Sequence, residues 1–277
     1  MKLKVSVAQM DVATSDPAEN LRKGEIRIAE AAERESDLIC FPEMWTTGFN
    51  WAKNELIATK QDEIIGRIAE MAKHYNIWIN GSMLALNDQG RVANTSILFD
   101  SGGKIAGIYR KTHLFSLINE DKHMAAGDSL CTVDTPWGLV GLSICYDLRF
   151  PELFRTYALQ GVKMVLSPMA FPYPRLAHWK VLIRARAIEN QMFMVGTNQV
   201  GSENFEKEGT LTYFGDSVII DPWGETVLEA SETEEELLTA SIDMQKVDEI
   251  RNKMQVLKDR RPDLYQLNNQ GQVSNGS

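Results

Sequence analysis

The stretch that decides the fold is GLVGLSICYDLRFPELFRTYALQGVKMVLS, residues 138–167. Its apolar run Gly138–Ile144 predicts a strand, which ends abruptly at Cys145. A helix is predicted over 151–160, because a proline at its first position is typical of a helix start. The short apolar run at 164–167 predicts the next strand. The order strand, helix, strand indicates an α/β layer.

The same alternation recurs on both sides of this stretch. Apolar or alternating runs predict strands at 3–10, 38–41, 77–86, 193–197 and 237–242. Two hairpins are also predicted, 93–100 with 104–109 across Gly102-Gly103, and 216–220 with 225–229 across Asp221-Pro222-Trp223-Gly224.

Helical spacing of apolar residues marks the segments between these strands. The first predicted helix starts at Pro17 with Asp16 as its cap, and further helices are predicted over 64–72, 178–191 and 245–254. In the helix at 178–191, one apolar face is formed by Val181, Leu182, Ala185 and Ile188. Residues 112–130 show little periodicity and predict a long connection, and long loops inside compact domains usually have a function.

Helices and hairpins interleave along the chain without an interdomain linker. We therefore expect a single domain over residues 1–267, with a disordered polar tail at 268–277. The fold class is α/β (α+β), with helices covering both sides of paired sheets.

The amino-acid composition limits which kinds of molecule the protein is expected to bind. The net charge of −9 argues against a nucleic-acid surface, because phosphate binding needs clustered lysine and arginine. That charge favours a small-molecule or neutral protein partner instead. No apolar run is long enough to cross a membrane, so we expect a cytoplasmic protein. The three cysteines form no CxxC pair, which favours a reducing compartment over a disulfide framework.

Three polar groups stand at the ends of predicted strands, namely Glu43, Lys111 and Cys145. Active sites of open sheets gather at strand ends, because loops converge there on a rigid frame. Cys145 is placed where a strand turns into a helix start, and positive potential there favours a thiolate nucleophile. The alternative is a buried structural cysteine, an interpretation that suits Cys40 and Cys131 better.

A cysteine nucleophile needs a base, and none of the four histidines shows a recognisable pairing with Cys145. Glu43 would serve if burial raised its pKa, and the alternative is an ordinary surface glutamate. Lys111 would stabilise an oxyanion beside a reacting carbonyl, and the alternative is a solvated lysine. The sequence has no HExxH or paired His/Cys ligand spacing and no GxSxG, P-loop or GxGxxG motif, so we expect neither a metal nor a cofactor.

Three motifs in order resemble the nitrilase superfamily of carbon–nitrogen hydrolases. They are FPEM at 41–44 with Gly48 beyond, YRKTHLF at 109–115 and GLSICYDLRFPE at 141–152. The resemblance implies a four-layer αββα sandwich that pairs into a homodimer. It also implies that Glu43, Lys111 and Cys145 are catalytic and that Glu120 orients the lysine and the substrate.

Within the superfamily, the segments AHW at 177–179, RARAIENQ at 184–191 and KDRRPDLY at 258–265 look most like the omega-amidase branch. This resemblance implies hydrolysis of the terminal amide of short dicarboxylic monoamides, such as 2-oxoglutaramate and 2-oxosuccinamate. One alternative is a nitrilase or N-carbamoyl amidohydrolase using the same site. An alternative of another class is a catalytically silent binding or scaffold protein.

Two arginines are candidates for binding the substrate. Arg149 follows the nucleophile by four residues, so its guanidinium would lie one helical turn away and reach the far end of a short substrate. The alternative is that Arg149 pairs with Asp147 or Glu152 and braces the turn. Arg175 is the second candidate. The backbone N–H of Tyr146 is expected to share the oxyanion with Lys111.

Overall fold

Two β-sheets form the middle of the structure, a computed structural model that describes residues 2–205 and 209–265. The predicted polar tail at 268–277, like the end of the predicted domain at residue 267, lies outside the described residues.

The first sheet collects strands from both ends of the chain. Its members are β1 (Lys2–Asp11), β2 (Leu38–Cys40), β3 (Trp78–Leu86), β4 (Val92–Phe99), β5 (Ile105–Arg110), β10 (Gln199–Phe205), β11 (Gly209–Phe214) and β14 (Glu236–Asp243). The strand order is β11-β10-β1-β2-β3-β4-β5, and β14 lies antiparallel to β1. Strands β1, β2 and β3 are parallel, so the loops that leave them reach the same edge of the sheet.

The second sheet comes from the middle of the chain. Its members are β6 (Thr132–Thr135), β7 (Gly138–Leu142), β8 (Met164–Pro168), β9 (Phe193–Thr197), β12 (Val218–Ile220) and β13 (Thr226–Glu229), in the order β13-β12-β9-β8-β7-β6. Strands β7, β8 and β9 are parallel, as buried strands joined by helices usually are.

Helices cover the outer face of each sheet, and shorter helices occur in the connections between strands. They are α1 (Pro17–Glu33), α2 (Trp51–Ala58), α3 (Gln61–Tyr75), α4 (Glu120–His123), α5 (Pro151–Leu159), α6 (Leu176–Asn190) and α7 (Gln245–Lys253). Apolar residues of α1 and α3 pack on the first sheet, whereas those of α5 and α6 share one core with both sheets. The layers therefore stack as helix, sheet, sheet, helix, which confirms the predicted sandwich.

Local signals in the sequence have the structural effect that we expected. The side chain of Asp16 accepts a hydrogen bond from the backbone N–H of Glu19 at 3.1 Å, and Pro17 opens α1. In the β4–β5 hairpin, Gly103 has a φ of 81°, a left-handed conformation that glycine adopts at little cost.

One predicted helix face is wrong. Helix α6 buries Trp179, Ile183 and Ala187, whereas Val181 and Ile188 point outward and are 67% and 48% exposed. The apolar residues of this helix are spread around its circumference, so their spacing alone does not identify the buried side.

Some elements have no counterpart in the prediction. Helix α2 and strands β6, β10 and β11 were not predicted from the sequence. The predicted connection at 112–130 contains a 3-10 helix, Ser116–Ile118, and the single-turn helix α4. Helix α4 begins at Glu120 and so brings that carboxylate into the protein interior.

Candidate active site

Cys145 lies three residues beyond Leu142, the last residue of β7, and begins a short 3-10 helix, Cys145–Arg149. Its φ is 40°, a left-handed conformation that is uncommon for any residue except glycine. The backbone N–H of Ile144 donates to Oδ2 of Asp147 at 2.8 Å, which closes the turn around the cysteine. This sharp turn presents the sulfur at the ends of both sheets.

Asp147 joins the Cys145 turn to the segment that follows β5. Its buried carboxylate accepts the Tyr109 hydroxyl at 2.8 Å and lies 2.7 Å from Nδ1 of His113. The ring of His113 in turn stacks on Phe150, with 3.7 Å between the ring centroids. Because Lys111 lies between Tyr109 and His113 in the chain, these contacts also fix where Lys111 enters the site.

Glu43 enters the site from the loop after β2. Its backbone N–H donates to the carbonyl of Met169 at 3.1 Å, and its own carbonyl accepts Nε2 of Gln199 at 2.7 Å. Met169 directly follows β8, so this contact ties the end of the first sheet to the second. The side chain of Glu43 is buried and accepts Nζ of Lys111 at 2.7 Å.

Glu120 lies on the other side of Lys111. Its oxygens accept Nζ of Lys111 at 2.8 and 3.0 Å, and Oε2 also accepts the backbone N–H of Phe115 at 2.7 Å. The structure therefore brings Glu43, Lys111, Glu120 and Cys145 together from four separate segments of the chain.

Burial is the largest single influence on the pKa of Glu43, Lys111 and Cys145, and neighbouring charges add to it or oppose it. It raises the pKa of Glu43, against the opposing effect of Lys111. Burial alone would lower the pKa of Lys111, but Glu120 and Glu43 outweigh it and raise that pKa. Burial, followed by the charge of Glu43, raises the pKa of Cys145 well above that of an ordinary thiol, even though the backbone N–H of Ala170 bonds the sulfur.

This corrects the expectation that a helix start stabilises a Cys145 thiolate. The helix is only a short 3-10 turn, and the neighbouring carboxylate of Glu43 opposes a second negative charge. Burial and the charge of Glu43 therefore favour the neutral form of the thiol. Its hydrogen bond with Glu43 gives the proton a route to the carboxylate.

A pocket opens above the sulfur. Besides Glu43, Lys111 and Cys145, its walls include Phe49, Phe115, Ile118, Tyr146, Arg149, Ala170, Phe171, Pro172, Arg175, Phe205, Leu211 and Tyr213. Most of these side chains are apolar or aromatic, and the two arginines are the cations at the wall. A mostly apolar pocket with a few converging charged groups is typical of a small-molecule site.

Both candidate arginines lie on aromatic rings. The guanidinium carbon of Arg149 is 5.6 Å from the ring centroid of Phe171, and that of Arg175 is 5.6 Å from Phe115. Arg149 also lies 3.5 Å from Nδ1 of His178. Across residues 2–205 and 209–265, Arg149 makes no ion pair with Asp147 or Glu152, so the alternative in which it braces the turn through those carboxylates is wrong.

The other cysteines lie away from this pocket. Cys40 is buried within β2, and Cys131 is half-buried just before β6. Burial raises the pKa of both thiols. Within the described ranges, no cluster of three or more His, Cys, Asp or Glu side chains is arranged to hold a metal ion. No helix in the described part of the chain is long and apolar enough to span a bilayer.

A family model for carbon-nitrogen hydrolases matches residues 4–252. The chain belongs to the carbon-nitrogen hydrolase family. The match covers every segment that contributes to the pocket, and it confirms the resemblance to the nitrilase superfamily that the three motifs indicated.

Similar proteins agree with this family assignment. The chain is 37% identical to a 2-oxoglutaramate amidase from Bacillus subtilis, over 96% of this chain and all of that protein. It is 33% identical to an omega-amidase from Mus musculus, over 95% and 96% of the two chains. A solved structure from Saccharomyces cerevisiae, a member of branch 10 of the nitrilase superfamily, is similar with a TM-score of 0.82, 27% identity and coverage of 94% and 98%.

Some residues of this carbon-nitrogen hydrolase site were not found from the sequence. Asn94 lies between the carboxylates of Glu43 and Glu120, and Phe49 and Tyr213 form part of the pocket wall. A polar residue in the middle of β4 was the available signal for Asn94. Tyr213 belongs to β11, a strand that the sequence did not reveal.

Proposed function

We propose that this chain is an amidase that removes ammonia from the terminal amide of a short dicarboxylic monoamide. The observation that carries the proposal is the position of the Cys145 thiol against the buried cluster of Glu43, Lys111 and Glu120, below a pocket with two arginines. The names of the relatives, 2-oxoglutaramate amidase and omega-amidase, support the same substrate class.

In the first half-reaction, Glu43 takes the thiol proton while the sulfur of Cys145 adds to the amide carbonyl carbon. The carbonyl oxygen becomes an oxyanion, which Nζ of Lys111 and the backbone N–H of Tyr146 stabilise. Protonated Glu43 then gives its proton to the departing nitrogen. The carbon–nitrogen bond breaks, ammonia leaves and a thioester remains on Cys145.

In the second half-reaction, Glu43 accepts a proton from water while the water oxygen attacks the thioester carbon. The carbon–sulfur bond breaks, the thiol recovers its proton from Glu43 and the carboxylic acid is released. Glu120 accepts hydrogen bonds from Lys111 throughout, so its role is to hold the ammonium in place.

Arg149 and Arg175 give the pocket its preference for a substrate with a free carboxylate. Both line the pocket beside Tyr146 and present planar, permanently charged groups. Each guanidinium lies over an aromatic ring, and the other N–H groups at its edge can donate to a carboxylate. A dicarboxylic monoamide would place its amide at Cys145 and its carboxylate at this wall.

An ammonia-release assay over matched substrates tests the proposal. The panel compares 2-oxoglutaramate and 2-oxosuccinamate with neutral amides of equal length, nitriles and N-carbamoyl amino acids. We expect the highest kcat/KM for the dicarboxylic monoamides. Preferential turnover of nitriles or carbamoyl compounds would establish the alternative activity, and no turnover of any compound would favour a silent binding protein.

The remaining expectations stay predictions. They are a single domain over residues 1–267, a homodimer, a cytoplasmic location and activity without a cofactor. Sedimentation analysis of the full chain tests the homodimer directly.

A further inference from the structure

Asn94 lies on β4 between the two carboxylates of the site. Its Nδ2 donates to Oε1 of Glu43 at 2.8 Å and to Oε1 of Glu120 at 3.2 Å. The residue is fully buried, so both of its amide hydrogens have a protein acceptor rather than water. Asn94 also anchors Lys111, whose backbone N–H donates to the Asn94 carbonyl at 2.9 Å.

The orientation of the Asn94 side-chain amide is fixed by a hydrogen bond to its oxygen. The hydroxyl of Ser82 donates to Oδ1 of Asn94 at 2.8 Å, and the same hydroxyl oxygen accepts the backbone N–H of Met44 at 2.9 Å. Because Oδ1 faces a donor, the NH2 group must face the carboxylates. Met44 is the neighbour of Glu43, so this chain of hydrogen bonds connects the main chain at Glu43 with its own side chain.

The two oxygens of Glu43 are therefore not equivalent. Oε1 accepts Nζ of Lys111 at 2.7 Å and Nδ2 of Asn94 at 2.8 Å. A carboxylate oxygen has two lone pairs in its plane, so both lone pairs of Oε1 are occupied. In the described ranges, neither Lys111 nor Asn94 donates to Oε2. That oxygen is left for the thiol of Cys145.

We propose that Asn94 is a positioning residue which, together with Lys111, saturates Oε1 of Glu43 and so makes Oε2 the single oxygen that carries the proton. This inference rests on the proposed amidase function. The proton travels from the sulfur to Oε2, then to the leaving nitrogen, and returns by the same oxygen from water. A carboxylate that rotated freely would offer the wrong oxygen for part of the time.

The inference predicts a change in pH dependence when the Asn94 amide is removed. The titratable groups around Glu43 are Lys111, Glu120, Cys145 and Tyr213. A hydrogen bond donated to a carboxylate stabilises its charged form and lowers its pKa. Without Asn94, the pKa of Glu43 rises, and the acidic limb of the rate profile moves to higher pH.

The experiment compares wild type with Asn94→Ala and Asn94→Asp. For Asn94→Ala we expect kcat to fall about ten- to a hundredfold with little change in KM, and the acidic limb to rise by about one pH unit. Asn94→Asp keeps the shape of the side chain but adds a negative charge beside Glu43. The acidic limb of its rate profile should therefore move to a still higher pH. Ser82→Ala, which frees the amide to rotate, should move the limb in the same direction by less.

Asn80→Ala is the matched control, because Asn80 is equally buried on neighbouring β3 and bonds Ser96 and the Ile97 carbonyl instead. It should lower the melting temperature without moving the acidic limb. If the limb stays in place in both Asn94 variants, or moves equally in the control, the assignment of Asn94 is overturned while the amidase proposal stands. Failure of wild type to release ammonia from any amide would instead refute the amidase proposal.

Discussion

Lys111 and Glu43 form a buried ion pair, with 2.7 Å between Nζ and Oε1 and no more than 2% of either side chain exposed. Glu120 contacts the same ammonium, so one cation serves two carboxylates. A buried charge without a partner costs far more than a surface charge, and the cluster is therefore sensitive to which of its charges is removed.

Lys111→Met should destabilise the fold as well as abolish activity. It leaves the carboxylates of Glu43 and Glu120 side by side without a cation, which is expected to lower the free energy of unfolding by about 3–5 kcal/mol. Denaturant unfolding at neutral pH measures the loss. Glu43→Gln is the control, because it keeps the Lys111–Glu120 pair and should be at least as stable as wild type. Equal losses in the two variants would contradict the charge argument.

The activity should depend on the ionisation of Glu43. The carboxylate is the proposed base, and burial raises its pKa above the ordinary value of 4.5. The kcat/KM for a substrate that does not titrate in the range should therefore fall as the pH drops through an apparent pKa above 4.5. An acidic limb at or below the ordinary glutamate value would show that another group is the base.

The raised pKa of Glu43 has the opposite effect on stability. Activity should rise with pH, whereas the contribution of Glu43 to stability should fall. Glu43 binds its proton more tightly in the folded protein than in the unfolded chain. Its contribution to the free energy of unfolding is therefore fully present at pH values below the pKa of the unfolded state. That contribution is lost as the pH rises through the raised folded pKa. The stability of wild type relative to Glu43→Gln should decline over that interval. Thermal melting of the two proteins across a pH series measures the difference, and a constant difference would contradict the raised pKa.

Cys145→Ala should keep the fold and lose at least about three powers of ten in kcat, because it removes the proposed nucleophile. Cys145→Ser should be nearly as inactive, since a hydroxyl is much less acidic than a thiol. Mass spectrometry of rapidly quenched wild type should find the acyl group on Cys145 and on neither Cys40 nor Cys131. Residual turnover by a purified alanine variant at more than a trace of the wild-type rate would exclude this mechanism.

Arg149→Gln and Arg175→Gln test the carboxylate at the far end of the substrate. A charged hydrogen bond contributes roughly 1.5–3 kcal/mol, so its loss should lower kcat/KM for a carboxylate-bearing amide by about one to two powers of ten. A neutral amide of the same length should lose much less. If both substrates suffer equally in one variant, that arginine supports the pocket wall and does not recognise the carboxylate.

Exhaustive chelation should leave activity unchanged. The reason is the lack of a suitable ligand cluster in residues 2–205 and 209–265, together with the lack of ligand spacing in the sequence. Ammonia release before and after dialysis against a chelator measures the effect. A loss that one particular divalent ion restores would refute this prediction.

The sequence predicted those parts of the structure whose cause is local. Asp16 caps a helix three residues away, Gly103 turns a hairpin, and the apolar strand before Cys145 stops where the polar turn begins. The three motif residues Glu43, Lys111 and Cys145 could be found because each directly follows a strong strand signal.

The parts of the structure that the sequence did not predict depend on contacts between residues that are far apart in the chain. Strand β10 pairs with β1 through Met10 and Gln199, and nothing within the polar segment around Gln199 indicates that partner. The proposed role of Asn94 likewise depends on Glu43, from the loop after β2, and on Glu120, from helix α4. Such residues are recognised only when the sheet order is known, because their function lies in which groups they meet.

The left-handed backbone at Cys145 has a consequence for engineering this protein. A φ of 40° costs a residue with a side chain about 1–2 kcal/mol, and glycine avoids most of that cost. Met44, the neighbour of Glu43, has the same type of backbone, with a φ of 50°. A library selected only for thermal stability would therefore enrich glycine at position 145 and discard the proposed nucleophile. Each round of selection for thermal stability must therefore include an activity assay.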